Sequence, residues 1–300
     1  MTDAYNYDDL EPLPLNLEGV NVATIMYSDE YKHTLGLLRA LQAKKEYSDR
    51  ALALTADAIA LNAAHYTLWQ YRYHNVIELK KDIDAELNWV EDIAIDNPKN
   101  YQIWHYRQML LEYWGKKDAK REFPIIETML DDDTKNYHVW SYRKWVVQWT
   151  GQWEQELSFV EKFIERDVYN NSAWSHRFFA VFGLGLDQVT DQVFEREVKY
   201  AKEQIALAPH NVSSWNYLIG VFNKLNKPLA PLKDFASQYA TITDSMTPIQ
   251  SIPALELLTK IYKTSEPDLA IKGYELLGSK YDTIRRNYWD YQKSLIVQTN

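Results

Sequence analysis

The chain has 300 residues, of which 46 % are hydrophobic and 14 % aromatic, with only 9 glycines and 10 prolines. This composition supports a sizeable core and supplies too few turn residues for an all-β chain, so we expect a globular, mostly helical protein. The formal net charge of −9 argues against diffuse binding to nucleic acid or anionic lipid. The absence of cysteine excludes a disulfide, a thiolate nucleophile and a cysteine-based zinc site in this chain.

The N-terminal end is polar and acidic and shows no apolar period. We predict a flexible tail over residues 1–14 and a single helical-repeat domain over residues 15–300. The N-terminus lacks the basic and apolar regions of a secretory signal, and no apolar run approaches the length of a membrane span. We therefore expect a cytoplasmic protein.

Apolar residues at helical spacing predict helices at both ends of the chain. In chain order these helices cover residues 30–41, 49–61, 255–262 and 270–281. Between them, a Trp-x-x-Arg motif recurs with tryptophans 35, 36, 34 and 41 residues apart, a period typical of stacked helical hairpins. We predict a curved, all-α solenoid of about seven hairpins. The copies are Trp69/Arg72, Trp104/Arg107, Trp140/Arg143, Trp174/Arg177 and, with leucine in place of arginine, Trp215/Leu218.

Each copy begins with a residue that is suited to start the second helix of its hairpin. Four residues before the tryptophan lies an asparagine, whose side-chain oxygen can accept from the first-turn amides, except in the first copy, which has His65. Gly115 and Gly151 are placed to end two of these helices. We interpret the Trp and Arg as structural: the indole packs between hairpins, and an acid or a carbonyl of the adjacent helix holds the guanidinium. The asparagines are Asn100, Asn136, Asn170 and Asn211.

The residues around these helix starts are candidates for anion binding. Stacked repeats bring equivalent helix N-termini to one edge, so a shared rim of ammonium, phenol and imidazole groups is expected there, suited to a phosphate or diphosphate. The alternative is that the lysines are solvated and the tyrosines cover the hairpin edge. The rim would contain Lys99, Tyr101, Lys135, Tyr137 and His138.

Other catalytic motifs are weak or missing. The run 131–133 is similar to aspartate-rich magnesium sites, but Thr134 and Lys135 occupy the positions of a further acid, which favours a solvated turn. The seven histidines show no i, i+4 pair, and the sequence has no glycine-rich phosphate loop and no nucleophile elbow. A catalytic site complete within this chain is therefore not expected.

Two stretches carry a family resemblance: Lys-Asn-Tyr-Gln-Ile-Trp-His-Tyr-Arg at 99–107 and Lys-Asn-Tyr-His-Val-Trp-Ser-Tyr-Arg at 135–143. They resemble the α-subunit repeats of protein prenyltransferases, as do 167–174, 209–218, 282–289 and the segment 25–29. The likeness spans roughly residues 12–291. Within the family, the chain is similar to the α subunit shared by farnesyltransferase and geranylgeranyltransferase type I.

The resemblance implies a fold and a reaction. The fold would be a right-handed α-α superhelix, crescent-shaped and wrapped around a β subunit in an obligate heterodimer. The enzyme would transfer a farnesyl or geranylgeranyl group from its diphosphate to the cysteine thiol of C-terminal CaaX proteins. Zn²⁺ would be bound by the β subunit, and Mg²⁺ would be a second cofactor.

The resemblance also implies roles for five residues. Lys99 matches the family lysine that reaches the diphosphate, and Tyr137 and His138 match residues near the diphosphate and the reacting carbon. Tyr101 matches a residue beside the substrates at the subunit boundary, and Gln102 one that hydrogen-bonds the terminal carboxylate of the substrate. Two alternatives stay open: a non-enzymatic, tetratricopeptide-like interaction scaffold and the Rab-type geranylgeranyltransferase α subunit. The length of the prenyl group, which the β subunit sets in the family, cannot be read from this chain.

Overall fold

The computed structural model describes residues 5–14, 23, 25–242 and 249–297, and within these ranges every regular element is helical. The expected all-α fold is confirmed. Short 3-10 turns cover 186–188, 230–232 and 283–285, and one π-helical turn covers 277–281. The helices are α1 Asp29–Ala43, α2 Asp49–Leu61, α3 Tyr66–Glu78, α4 Ile83–Asp96, α5 Tyr101–Trp114, α6 Ala119–Asp132, α7 Tyr137–Thr150, α8 Glu156–Arg166, α9 Asn171–Phe182, α10 Asp191–Leu207, α11 Val212–Lys224, α12 Lys233–Ala236, α13 Ile252–Ser265, α14 Pro267–Leu276 and α15 Arg286–Val297.

Consecutive helices pack as hairpins in two compact units. The first unit ends at Gln152 and contains the hairpins α2/α3, α4/α5 and α6/α7, with α1 packed on α2. The second begins at Trp153 and contains α8/α9, α10/α11 and α13/α14, with α15 packed on α14. The predicted helices over 30–41 and 49–61 are α1 and α2, and those over 255–262 and 270–281 are α13 and α14 with the π turn. The single domain over 15–300 stays a prediction.

Asparagine caps start the second helices as the sequence predicts. Asn100 Oδ1 accepts from the backbone N–H of Gln102 at 2.9 Å, and Asn136 Oδ1 accepts from that of His138 at 3.0 Å. Asn170 and Asn211 cap α9 and α11 in the same way, whereas His65 makes no side-chain cap bond. At the other ends of α5 and α7, Gly115 and Gly151 adopt φ values of 73° and 74°, a left-handed conformation that glycine takes without steric cost.

The repeated tryptophans are buried between hairpins. Trp69 packs against Tyr106 of the next hairpin with ring centroids 5.1 Å apart, and Trp104 packs against Tyr142 at 4.9 Å. The indole N–H of Trp69 donates to the carbonyl of Ala63, six residues earlier, at 2.8 Å. Trp140, Trp174 and Trp215 repeat this bond to Thr134, Val168 and Pro209. The structural interpretation of these residues is confirmed.

The repeated arginines bind glutamates that the sequence analysis did not identify. Arg107 pairs with Glu122 at 2.8 Å, with 0 % and 1 % of the two side chains exposed, and it also donates to the Leu87 carbonyl. The hydroxyl of Tyr142 donates to the same carboxylate at 2.7 Å. Each glutamate therefore joins an arginine of one hairpin to an aromatic residue of the next. The equivalent described pairs are Arg72–Glu86 with Tyr106, and Arg177–Glu197 with Tyr217.

The N-terminal segment contacts the first helices. Leu10 is buried, and the Tyr7 hydroxyl donates to the carbonyl of Arg50 at 2.9 Å. Arg50 also forms an ion pair with Asp9, and burial raises the pKa of Tyr7 to about 12. These contacts join residues 5–14 to the helices, whereas the sequence predicted a flexible tail over 1–14. Residues 1–4 of that predicted tail lie outside the described residues.

Candidate active site

The candidate site lies where loops lead into α5 and α7. We call residues 97–102, where the chain enters α5, the second mouth, and residues 133–138, where it enters α7, the third mouth. The loop before α3 is the first. Asn100 Nδ2 donates to the Ala63 carbonyl at 2.6 Å, which ties the second mouth to the loop before α3. Asn136 Nδ2 donates to the Pro98 carbonyl at 2.7 Å and ties the third mouth to the second. One asparagine in each mouth thus caps its own helix and fixes the preceding loop.

A groove of about 670 Å³ opens at the second mouth. Its walls come from residues 60–64, before α3, and from residues 97–102. Lys99, Tyr101 and Gln102 all line this groove, so the structure brings three of the five predicted site residues together. Lys99 is exposed and forms no ion pair with any residue in the described ranges. Its ammonium group is available to a ligand.

Gln102 is the most buried of the five predicted site residues, with 9 % of its surface exposed. Its Nε2 donates to the Ala64 carbonyl at 2.8 Å. A carboxamide nitrogen carries two N–H donors, and this bond uses one of them. The bond also fixes the orientation of the side chain, so that the remaining amide hydrogen has a defined direction at the groove wall.

Aromatic contacts connect the second and third mouths. The ring of Tyr101 lies 6.3 Å from the imidazole of His138, with an interplanar angle of 35°. His138 also meets Tyr137 edge-on at 5.7 Å. Tyr101 and Tyr137 are 60 % and 76 % exposed, and His138 is half-buried. The two phenol rings are therefore exposed, and Tyr101 connects this aromatic cluster to the groove that it lines.

The two helix N-termini make this region favourable for an anion. The first-turn N–H groups of a helix lack intrahelical partners, and the helix dipole places partial positive charge at this end. Neither α5 nor α7 has an acidic residue in its first turn. Lys99 adds an ammonium group directly before the cap of α5. The arrangement can bind and stabilise negative charge.

The described residues do not fit a resident metal ion. No group of three or more His, Asp or Glu side chains within the described ranges is arranged to hold one. In the aspartate run, the Asp133 carboxylate accepts from the backbone N–H of Lys135 at 3.1 Å, and Asp131 and Asp132 lie at the end of α6. Of the helices described, none combines the length and apolar character that crossing a membrane requires.

Comparison with known proteins assigns the family. The family model for "Protein prenyltransferase alpha subunit repeat" matches residues 48–76, 83–114, 119–150 and 153–184. The chain is 43 % identical to the "Protein farnesyltransferase/geranylgeranyltransferase type-1 subunit alpha" of Candida albicans over 310 residues, covering 99 % of each chain. The chain belongs to the protein prenyltransferase α-subunit family. The resemblance found in its repeats is confirmed.

A solved structure of this family has the same fold. It is "Candida albicans protein geranylgeranyltransferase-I complexed with GGPP", with a TM-score of 0.90 and 42 % identity, covering 98 % of this chain and 99 % of that one. By contrast, the "Geranylgeranyl transferase type-2 subunit alpha" of Saccharomyces cerevisiae is 28 % identical over 188 residues and covers 61 % of this chain. The Rab-type alternative is therefore less supported than the shared, type-1 α subunit.

Proposed function

We propose that this chain is the α subunit of a heterodimeric protein prenyltransferase and is active only with its β subunit. The enzyme transfers a farnesyl or geranylgeranyl group from its diphosphate to the cysteine thiol of a C-terminal CaaX protein. The observation that carries this proposal is the exposed Lys99 ammonium beside the capped N-terminus of α5, which forms no ion pair with any described residue. The near full-length similarity to the type-1 α subunit supports the same function.

In the reaction, the bond between C1 of the prenyl group and the diphosphate oxygen breaks, and a carbon–sulfur bond forms. Negative charge grows on the diphosphate as it leaves. We assign Lys99 to stabilise that charge, because a fixed cation at the site of developing charge lowers the barrier. Tyr137 and His138 are assigned to the diphosphate end of the prenyl substrate, where a phenol and an imidazole can donate hydrogen bonds.

The peptide contacts are assigned to the second mouth. Gln102 is proposed to bind the terminal carboxylate of the CaaX protein through the N–H that is not used by Ala64. Tyr101 is proposed to contact the substrates at the subunit boundary, since its ring is exposed beside both the groove and His138. The chain is also proposed to scaffold the β subunit.

Two metal ions belong to the proposed enzyme, and neither is proposed to be bound by residues of this chain. Zn²⁺ is proposed to be held by the β subunit, because this chain has no cysteine and its described residues offer no ligand cluster. When bound, zinc supplies a substrate thiolate near neutral pH. Mg²⁺ is proposed as a second cofactor with no ligand from this chain. The heterodimer is proposed to work in the cytoplasm.

The decisive experiment is co-expression with the β subunit of farnesyltransferase or of geranylgeranyltransferase type I. We expect a stable heterodimer that transfers the prenyl group to a CaaX peptide from the diphosphate preferred by that β subunit. The chain alone should be inactive. A chain that co-purifies with neither β subunit would instead be an interaction scaffold of the tetratricopeptide type.

A further inference from the structure

The peptide bond 98–99 of the second mouth has a well-anchored counterpart in the first mouth. That counterpart is the peptide bond 63–64. Its carbonyl accepts from Trp69 Nε1 at 2.8 Å and from Asn100 Nδ2 at 2.6 Å, and its N–H donates to Asn62 Oδ1 at 3.1 Å. Because a peptide group is planar, bonds on both of its sides fix the orientation of the whole plane.

The same anchoring is found in the mouths that follow. We call residues 167–172, where the chain enters α9, the fourth mouth. The carbonyl of its 168–169 peptide accepts from Trp174 Nε1 at 2.8 Å and from Asn211 Nδ2 at 2.6 Å. The N–H of that peptide donates to Asp167 Oδ1 at 2.9 Å. The third mouth has the same indole bond and the same N–H bond, at 3.0 and 3.1 Å.

The second mouth lacks two of these three bonds. The carbonyl of its 98–99 peptide accepts from Asn136 Nδ2 at 2.7 Å, as expected for the repeat. Trp104 Nε1, however, is buried and has no hydrogen-bond partner among the residues that the structure describes. The Asn97 side chain is turned back, with its Nδ2 donating to the Ile93 carbonyl at 3.0 Å. It therefore makes no bond to the N–H of the 98–99 peptide.

The proline at position 98 does not explain the missing indole bond. Pro209 lies six residues before Trp215, as Pro98 lies six residues before Trp104, and the Trp215 indole donates to the Pro209 carbonyl at 2.9 Å. Trp104 is also as buried as its counterparts, with 4 % of its surface exposed. A buried donor without a partner costs free energy. A shift of the 98–99 peptide onto the indole would recover it.

The loosely held peptide carries the candidate catalytic lysine. The Pro98 carbonyl and the Lys99 nitrogen belong to one planar group, so the direction of that carbonyl decides where the Lys99 side chain starts. The ammonium is exposed and forms no ion pair with any residue in the described ranges. A ligand that binds Lys99 favours the arrangement of the mouth in which this contact is strongest.

We propose that Trp104 is a positioning residue for Lys99. When the prenyl diphosphate binds at the second mouth, the 98–99 peptide moves onto Trp104 Nε1, and the Pro98 carbonyl accepts the bond that its counterparts already form. The closed mouth then holds the ammonium where negative charge develops on the leaving diphosphate. This inference rests on the proposed function and deepens the role assigned to Lys99. Trp104 acts through the peptide and touches no substrate.

A double-mutant cycle in the heterodimer with the β subunit tests this inference. Trp104→Phe removes the indole N–H, and Lys99→Ala removes the ammonium. We expect Trp104→Phe to lower kcat about tenfold and to leave the KM for a CaaX peptide within about twofold of wild type. In the Lys99→Ala background it should have no further effect, because no ammonium remains to be positioned. Trp174→Phe, the matched control in the fourth mouth, should keep wild-type kcat.

A second measurement separates the N–H group from the size of the ring. In 3-benzothienylalanine a sulfur atom replaces the indole N–H, and this residue is incorporated at position 104 or at position 174 of the free chain. We expect the urea midpoint to stay unchanged at position 104, where no bond is lost, and to fall at position 174, where the bond to Val168 is lost. An equal fall at both positions would show that the Trp104 bond forms without a ligand and would overturn the inference.

The kinetic outcomes distinguish this inference from the proposed function. A wild-type heterodimer that transfers no prenyl group would overturn the proposed function. If Lys99→Ala is slow but Trp104→Phe keeps wild-type kcat, only the positioning role is overturned. The same conclusion follows if Trp104→Phe lowers kcat by the same factor with and without Lys99, since Trp104 would then not act through the lysine.

Discussion

Arg107 of α5 and Glu122 of α6 form an ion pair in which almost no atom of either side chain reaches solvent. We predict that Arg107→Met lowers the free energy of unfolding by about 3–5 kcal/mol, because the buried Glu122 carboxylate loses the cation that it binds directly. Tyr142, which donates to the same carboxylate, cannot replace the lost charge, and Arg121 Nε lies 3.8 Å away, beyond hydrogen-bond distance. Urea unfolding of the purified chain, followed by circular dichroism, measures the change.

An exposed ion pair provides the control for this prediction. Lys32 pairs with Asp29 at 3.4 Å on α1, and both side chains are mostly exposed. Lys32→Met should therefore cost at most about 1 kcal/mol. If Arg107→Met were as mild as Lys32→Met, the buried pair would not be what joins the two hairpins.

Asn100 has two separable roles, and two substitutions distinguish them. Its Oδ1 caps α5, and its Nδ2 donates to the Ala63 carbonyl. Asn100→Asp keeps the cap and removes the donor, so we expect a loss of about 1 kcal/mol. Asn100→Ala removes both bonds and should cost about 2 kcal/mol. Equal costs in thermal unfolding would mean that only one of the bonds stabilises the chain.

The repeat period was sufficient to predict the hairpins, the caps and the structural role of the tryptophans. These features depend on contacts within one helix or between neighbouring helices. Because every repeat makes these contacts at the same place, the residues that make them recur at similar spacing in the sequence. The glutamates were missed because their distance from the paired arginine varies, being 14 residues for Arg72–Glu86 and 15 for Arg107–Glu122. A different signal was available, since each lies 20 residues before an aromatic or histidine partner: Glu86–Tyr106, Glu122–Tyr142, Glu156–His176 and Glu197–Tyr217.

At the mouths, the sequence predicted which residues share an edge but not how they are held. The bond from Gln102 to the Ala64 carbonyl joins residues 38 positions apart, and no local pattern encodes it. The contact between Tyr101 and His138 likewise depends on how two hairpins stack. Such details follow from tertiary packing and required the structure.

Glu197 should make stability dependent on pH in the acid range. Burial alone would raise its pKa, but the charge and hydrogen bonds of Arg177, together with the Tyr217 hydroxyl, hold the pKa below its ordinary value. A carboxylate with a lowered folded-state pKa contributes stability above its unfolded pKa, about 4.3 for Glu, and this contribution is lost as pH falls through the folded-state value.

Glu197→Gln removes that titration. We expect the variant to be less stable than wild type at pH 6.5, with the difference shrinking steadily below about pH 4.3 as the wild-type carboxylate becomes protonated. Urea midpoints measured for both proteins between pH 3 and 6.5 test this. A stability difference that does not change over that range would show that Glu197 does not titrate with folding.

Lys99 gives the sharpest test of the site, because its side chain is exposed and has no ion pair to lose among the described residues. We predict that Lys99→Ala lowers the turnover of the heterodimer by about 100-fold or more, the usual effect of removing one group that stabilises developing charge. Folding and β-subunit binding should be unchanged. Lys117→Ala, at an exposed loop position beyond the other end of α5, should keep wild-type turnover. Wild-type turnover by a correctly assembled Lys99→Ala heterodimer would remove Lys99 from the proposed mechanism.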